Sequence, residues 1–211
     1  LPVGHESVSC YDNWVSRTLP RSFPQAVETV FLDRDGVLNQ KMPEERYVTR
    51  WDEFHLLPGA MEAIHLLNQA GIRVIVVSNQ RGVALGLYNE EDVQAIHSEL
   101  QSLLNAHGAH VDGFYFCPHD RGTCNCRKPK PGMFEQAAAD FPAISAARSL
   151  MIGDSKSDIE FGRRLGMNTA FIGGDPHNQS PGADAAHQLA NMRYPSLYEA
   201  ITDLLSELRD R

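Results

Sequence analysis

Long apolar runs are missing from this chain. The longest, such as VIVV before Ser78, falls far short of the roughly 18 residues that a membrane helix needs, so no membrane association is expected. Basic charge is also short: 19 Lys and Arg against 27 Asp and Glu leave a formal charge of −8, which argues against a general nucleic-acid binder. Cysteine is sparse, and its four copies are unevenly placed. Cys117, Cys124 and Cys126 fall within ten residues beside His119, with Cys10 far away. That is metal-ligand spacing, not a disulfide framework, and it implies a reducing compartment. The first residues show no basic segment followed by an apolar run, so no signal peptide is expected and the cytoplasm is the expected location. What is present, 42% hydrophobic and 22% charged residues in 211, suits one soluble domain with a sizeable core. A monomer is expected.

Residues 1–26, with Pro2, Pro20 and Pro24 and no sustained periodicity, read as an N-terminal extension. From residue 27 to 211 short apolar runs alternate with amphipathic stretches. The predicted strands are 29–32, 73–77, 113–116, 149–152 and 168–172. The predicted helices lie within 58–71, 89–108, 131–141, 155–166 and 195–211, bounded by Pro, Asn and Gly signals. Such alternation predicts an α/β fold, with a central parallel sheet covered by helices on both faces.

Each chemically suggestive string directly follows a predicted strand: Asp33 after VFL, Ser78 after VIVV, Cys117 after FYF and Asp154 after MIG. In an open parallel sheet the strands' carboxyl ends share one edge, where ligands bind. Four distant strings are therefore expected at one crevice.

In VFLDRDGVLN, Asp33 and Asp35 would point the same way in extended geometry. Such close carboxylates call for a shared proton or a cation; Asp-Gly at 35–36 is equally a common turn signal. In VIVVSNQRG, Ser78 with Asn79, Gln80 and Arg81 forms a candidate oxyanion or phosphate cradle, or simply an ordinary loop. The most specific string is CPHDRGTCNCRKPKPG. Cys117, His119, Cys124 and Cys126 make a closed three-thiolate, one-imidazole set suited to structural zinc, with unpaired or reactive thiols as the alternative. This zinc loop, 117–126, would pin Arg127 and Lys128, two cations suited to a phosphate substrate unless they are a solvated basic patch. In LMIGDSKSDIEFG, Asp154 completes an oxygen-rich set with Asp33 and Asp35 for Mg²⁺, although acids at 154 and 158 also suit a helix N-terminus.

DRDGVLN, VVSNQRG, the lysine of CRKP, and GDSKSD resemble, in that order, the four motifs of haloacid-dehalogenase-like (HAD) phosphohydrolases. The resemblance covers about residues 27–175. With the zinc loop it extends to the subgroup of heptose 1,7-bisphosphate 7-phosphatases and histidinol-phosphate phosphatases, and SNQRGVALG and CRKPKPGM are closer to the heptose enzymes. It implies a Rossmann-like HAD fold and a catalytic Mg²⁺ held by the Asp33 and Asp154 side chains and the Asp35 carbonyl. It also implies Asp33 as nucleophile, Asp35 as acid and base, Ser78 and Lys128 on the transferring phosphoryl group, and Arg127 on the rest of a phosphorylated sugar. Two features depart from the heptose pattern: only four residues separate His119 from Cys124, and Ser155 follows Asp154 where a lysine is usual.

Only 45 residues separate Asp33 from Ser78 and 50 separate Ser78 from Lys128, so no separate cap domain is expected. The 40–54 loop then walls the site, with Lys41, Arg46, Arg50 and Trp51 as candidate substrate contacts. His55, His65 and His97 read as surface or packing residues. Rival readings are histidinol-phosphate phosphatase, a polynucleotide 3′-phosphatase, disfavoured by the net charge, and a catalytically dead zinc-stabilised binding module.

Overall fold

The computed structural model describes residues 26–43, 46–173, 180 and 182–209; residues 1–25 of the expected extension, Cys10 among them, lie outside these. Six parallel strands form the sheet: β1 (Thr29–Leu32), β2 (Arg73–Asn79), β3 (Gly113–Cys117), β4 (Ser149–Gly153), β5 (Asn168–Ile172) and β6 (Met192–Tyr194). Their spatial order is β3-β2-β1-β4-β5-β6. The helices are α1 (Ala60–Gln69), α2 (Arg81–Ala84), α3 (Glu90–Ala106), α4 (Gly132–Asp140), α5 (Lys156–Leu165), α6 (Ala183–Leu189) and α7 (Leu197–Arg209).

The two-residue period of a strand divides β1 between two cores. Val30 and Leu32 join Val74, Val76, Leu150 and Ile152 in one buried cluster. Phe31 joins Ile75, Val77 and Met151 in the other. Both faces of the central strands are therefore apolar, as the uninterrupted runs VIVV and LMI require. Helix ends follow their local signals. Asn89 caps α3 by accepting from the Asp92 amide at 2.8 Å, and the Asp92 carboxylate accepts from the Asn89 amide at 2.9 Å. Gly166 closes α5 in the left-handed conformation.

All five predicted strands are present. The sixth, β6, along with α2 and α6, was not expected. Between β1 and β2 the described residues hold only a short 3-10 turn (Trp51–Glu53) and α1, so no cap domain intervenes. No described helix is long and apolar enough to cross a membrane.

Candidate active site

The chain runs outward from β1 through β2 to β3, then returns to β4 on β1's other side and runs outward again. The gap between the carboxyl ends of β1 and β4 is therefore the topological switch point where crevices form. Asp33 follows β1 there, its amide bonded to the Ile152 carbonyl of β4 at 3.0 Å. Asp154 follows β4.

After Asp33 the backbone leaves extended geometry and turns, closed by the Leu38 amide on the Arg34 carbonyl at 2.9 Å. Gly36 permits this with φ +96°; a Cβ there would lie 2.3 Å from Asp154 Oδ2, so the turn packs directly on that carboxylate. Because of the turn, Asp33 and Asp35 engage different partners instead of facing one way as a pair.

Asp33 Oδ1 accepts from Lys128 Nζ at 2.8 Å. Lys128, only 3% exposed, also donates to the Val77 carbonyl at 2.6 Å and pairs with Asp158 Oδ1 at 2.6 Å. Burial alone would lower its pKa, but the Asp158 and Asp33 carboxylates hold it above the usual lysine value, so it stays charged. Its backbone is clamped by Asn79, which accepts from the Lys128 amide at 2.9 Å and donates to its carbonyl at 3.2 Å. Burial and the neighbouring Asp158 push the Asp33 carboxyl upward, partly opposed by Lys128.

Asp35 Oδ1 accepts from Arg34 Nη2 at 3.1 Å and Asn39 Nδ2 at 3.0 Å. Its Oδ2 accepts from Arg34 Nη2 at 3.0 Å and Gln80 Nε2 at 2.9 Å. Burial raises its pKa, but the Arg34 charge and these donors outweigh that and leave it below the usual aspartate value.

The carboxylates of Asp33, Asp154 and Asp158 lie within 4.8 Å of one another. Both Asp158 oxygens are engaged, Oδ1 by Lys128 and Oδ2 by the Ser155 hydroxyl at 2.6 Å. On Asp154, Oδ2 accepts from Ser180 at 2.6 Å and from Lys41 at 3.2 Å, and Lys41 also bonds the Ser180 hydroxyl. Asp154 Oδ1 is buried without a hydrogen-bond partner. A buried carboxylate oxygen left bare is costly; one beside a second carboxylate fits a hard divalent cation.

At the crevice rim, Cys117 Sγ lies 3.0 Å from Cys126 Sγ, 3.5 Å from Cys124 Sγ and 3.7 Å from His119 Nδ1. His119 Nδ1 lies 3.2 Å from Cys126 Sγ. These separations are well beyond a disulfide's ~2.05 Å. They approach the ~3.8 Å edge of a tetrahedron with ~2.3 Å zinc–sulfur bonds, so the four residues fit zinc.

Not every candidate faces open space. Ser78 and Gln80 are each 1% exposed, and Gln80 donates to Ser78 Oγ at 2.6 Å. Arg81 is paired with Asp120 at 2.6 Å, tying α2 to the zinc loop. Arg127 keeps a buried Nη1 without a hydrogen-bond partner. Arg50 pairs with Asp52 at 2.7 Å, Trp51 stacks on Phe54 at 5.2 Å, and Arg46 is exposed. His55 is exposed, His65 bonds the Gly108 carbonyl at 2.9 Å, and His97 is buried against Phe114. Sequence reasoning missed Arg34, Asn39, Tyr88 and Ser180, and gave Asp158 only a helix-end role. The four-residue step from Asp154 to Asp158, one helical turn, was the available signal for the last.

Residues 12–166 match the model of the haloacid dehalogenase-like hydrolases. D-glycero-alpha-D-manno-heptose-1,7-bisphosphate 7-phosphatase of Mycobacterium tuberculosis is 38% identical over 171 residues, 81% of this chain and 87% of that protein. D-glycero-beta-D-manno-heptose-1,7-bisphosphate 7-phosphatase of Rhodopseudomonas palustris is 41% identical over 145 residues, 65% of this chain and 78% of that one. A crystal structure of D,D-heptose 1,7-bisphosphate phosphatase from B. bronchiseptica, complexed with magnesium and phosphate, superimposes with a TM-score of 0.75 at 29% identity, covering 86% of this chain and 99% of that one. The switch-point aspartates, the lysine facing them and these matches agree: the chain belongs to the haloacid dehalogenase-like hydrolases.

Proposed function

We propose that this chain is a Mg²⁺-dependent phosphatase acting on a phosphorylated sugar, hydrolysing D-glycero-D-manno-heptose 1,7-bisphosphate to heptose 1-phosphate and phosphate. The observation that carries the reading is Asp33 at the switch point, with Lys128 Nζ at 2.8 Å and the bare oxygen of Asp154 in the same carboxylate cluster. The names of the relatives support the sugar.

Asp33 attacks phosphorus, forming an aspartyl-phosphate and dividing one hard displacement into two easier ones. Asp35, whose neighbours favour the charged form, first takes up a proton from solvent, gives it to the departing sugar oxygen, and later takes one from the water that hydrolyses the intermediate. Its hydrogen bonds from Arg34, Asn39 and Gln80 hold the carboxylate at the base of the crevice. The Asp33 and Asp154 side chains and the Asp35 carbonyl would hold Mg²⁺, which when bound neutralises charge between an anionic nucleophile and an anionic substrate. Lys128 and Ser78 stabilise the transferring oxygens, and Asn79 acts through its clamp on Lys128. Arg127, one residue before Lys128, contacts the rest of the substrate. Arg81 and Gln80 are committed to protein partners and hold the walls in place. Lys41 and Ser180 turn Asp154 so that Oδ1 stays free. Cys117, His119, Cys124 and Cys126 would hold a structural Zn²⁺. Residues 27–211 form one domain behind a 1–26 extension, in a cytoplasmic monomer that engages neither nucleic acid nor membrane.

The assignment is tested by phosphate release with Mg²⁺ over both anomers of the heptose bisphosphate, other sugar phosphates, histidinol phosphate and 3′-phosphorylated oligonucleotides. A heptose anomer should give the highest kcat/KM; preference for histidinol phosphate or an oligonucleotide overturns the substrate assignment. Metals should separate by exchange. About one zinc per chain should survive dialysis, whereas activity should need added Mg²⁺. Freshly purified protein without zinc by elemental analysis ends the structural-zinc reading.

A further inference from the structure

Gln80 joins the two halves of the site. One Nε2 proton goes to Ser78 Oγ at 2.6 Å and the other to Asp35 Oδ2 at 2.9 Å, while Oε1 accepts from the Tyr88 hydroxyl at 2.7 Å. The residue is 1% exposed, and every hydrogen-bonding direction toward the site is used. Turning the amide over would set its carbonyl oxygen against the Asp35 carboxylate, a repulsive contact. The Asp35 carboxylate therefore selects the amide orientation, and the Tyr88 hydroxyl, donating to Oε1, holds it there.

The surrounding chain is built around that strut. Tyr88, 8% exposed, passes over Gly82 so closely that a Cβ there would lie 2.1 Å from its ring. The Leu87 amide bonds the Gly82 carbonyl at 3.0 Å, which brings the tyrosine back across α2. Tyr47 packs on the outer side of the Tyr88 ring at 6.0 Å. Arg34 and Asn39 hold Asp35 through residues of its own turn. Gln80 alone among these partners ties Asp35 to β2, where the phosphoryl-gripping Ser78 stands.

We propose that Gln80, locked by Tyr88 over Gly82, is a positioning residue that aligns the Asp35 carboxyl with the leaving oxygen during the first chemical step. This rests on the phosphatase reading above. In that step the Asp33–phosphorus bond forms and the phosphorus–oxygen bond to the sugar breaks. A proton that Asp35 has taken up from solvent before this step moves to that oxygen, giving a neutral alcohol and leaving the Asp35 carboxylate charged. Proton transfer tolerates little misplacement, and without the strut the carboxylate keeps only the partners of its own turn.

The test uses leaving groups that differ in their need for the proton. A sugar alkoxide needs it; the nitrophenolate of p-nitrophenyl phosphate does not. kcat/KM covers binding through leaving-group departure and omits hydrolysis of the intermediate, so it isolates this step. Gln80→Ala should lower kcat/KM for the sugar phosphate on the order of 100-fold, the low end of general-acid contributions, and for p-nitrophenyl phosphate less than about 5-fold. Tyr88→Phe, which keeps the ring and so the packing, should show the same selectivity at about 10-fold against the sugar phosphate. Parallel losses on both substrates in Tyr88→Phe overturn the proposal and leave a purely structural role. The alkyl arm uses whichever sugar phosphate the wild-type protein turns over, so a wrong heptose assignment leaves the comparison intact. Wild-type protein that hydrolyses neither substrate overturns the phosphatase reading and this proposal with it.

Discussion

Asp33→Asn is expected to lose more than about 10⁴-fold in phosphate release, within the range that loss of a nucleophile costs a hydrolase. An amide oxygen is too weak a nucleophile to form the acyl-phosphate, and neither Asp158 nor Asp35 is free to take its place. Both Asp158 oxygens are occupied by Lys128 and Ser155. Asp35 is held by Arg34, Asn39 and Gln80. The fold should not suffer. The substituted amide could still accept from Lys128 through its carbonyl, and Lys128 keeps Asp158. The substitution also removes one charge from three crowded, buried carboxylates, the charge whose pKa burial and Asp158 already push upward. Thermal unfolding should therefore be unchanged or slightly raised, while phosphate release disappears. Turnover within tenfold of wild type would remove the aspartyl-phosphate mechanism. A large drop in melting temperature would show that Asp33 holds the site together more than it repels its neighbours.

The sequence exposed what depends on chain direction and hid what depends on side-chain rotation. Apolar runs followed by polar strings placed Asp33, Ser78, Cys117 and Asp154 at one edge, because parallel strands must end together. The cluster of Cys117, His119, Cys124 and Cys126 was legible because three thiols and an imidazole within ten residues have few uses other than gathering at one point. Asp33 and Asp35 looked like a pair because extended geometry was carried past the end of β1; the turn at Arg34–Asn39 separates their partners. Arg34, a charged residue between two acids, drew no expectation from the sequence; the structure buries it completely against Asp35 and beside Phe54. Asn79, Gln80 and Arg81 looked like substrate contacts because all three are polar residues following a strand. Their hydrogen bonds go instead to Lys128, to Asp35 with Ser78 and Tyr88, and to Asp120. Ser180 and Lys41 meet on Asp154 from positions 139 apart, a contact that no local pattern announces. β6 was missed for a different reason: three half-buried residues, MRY, at a sheet edge leave no periodicity to read.

The zinc loop should act on catalysis through placement, and Cys126→Ala measures this. Cys126 stands two residues before Lys128, so the metal would fix one end of the segment that delivers the buried ammonium. Asn79 fixes the other end by gripping the Lys128 backbone on both sides. Losing the first anchor should leave the sheet intact, since β1, β2 and β4 draw their stability from the two apolar clusters, which the loop only borders through its cysteines. Circular dichroism should remain near native. The loop should loosen, and a shift of about 1 Å in a phosphate-gripping cation can cost on the order of 100-fold in rate, or about 2.7 kcal/mol of barrier. Lys128→Ala should cost at least as much, because it deletes the cation and leaves Asp33 and Asp158 facing each other uncompensated. If the loop works by placing Lys128, the Cys126→Ala, Lys128→Ala double variant should be little worse than Lys128→Ala alone, since a misplaced anchor no longer matters once its cargo is gone. Asn79→Ala should combine with Cys126→Ala in the opposite manner: two anchors of one segment lost together should cost more than the sum of the separate losses. Simple additivity between Cys126→Ala and Lys128→Ala in kcat would sink the placement argument and give the zinc loop an effect on the reaction of its own.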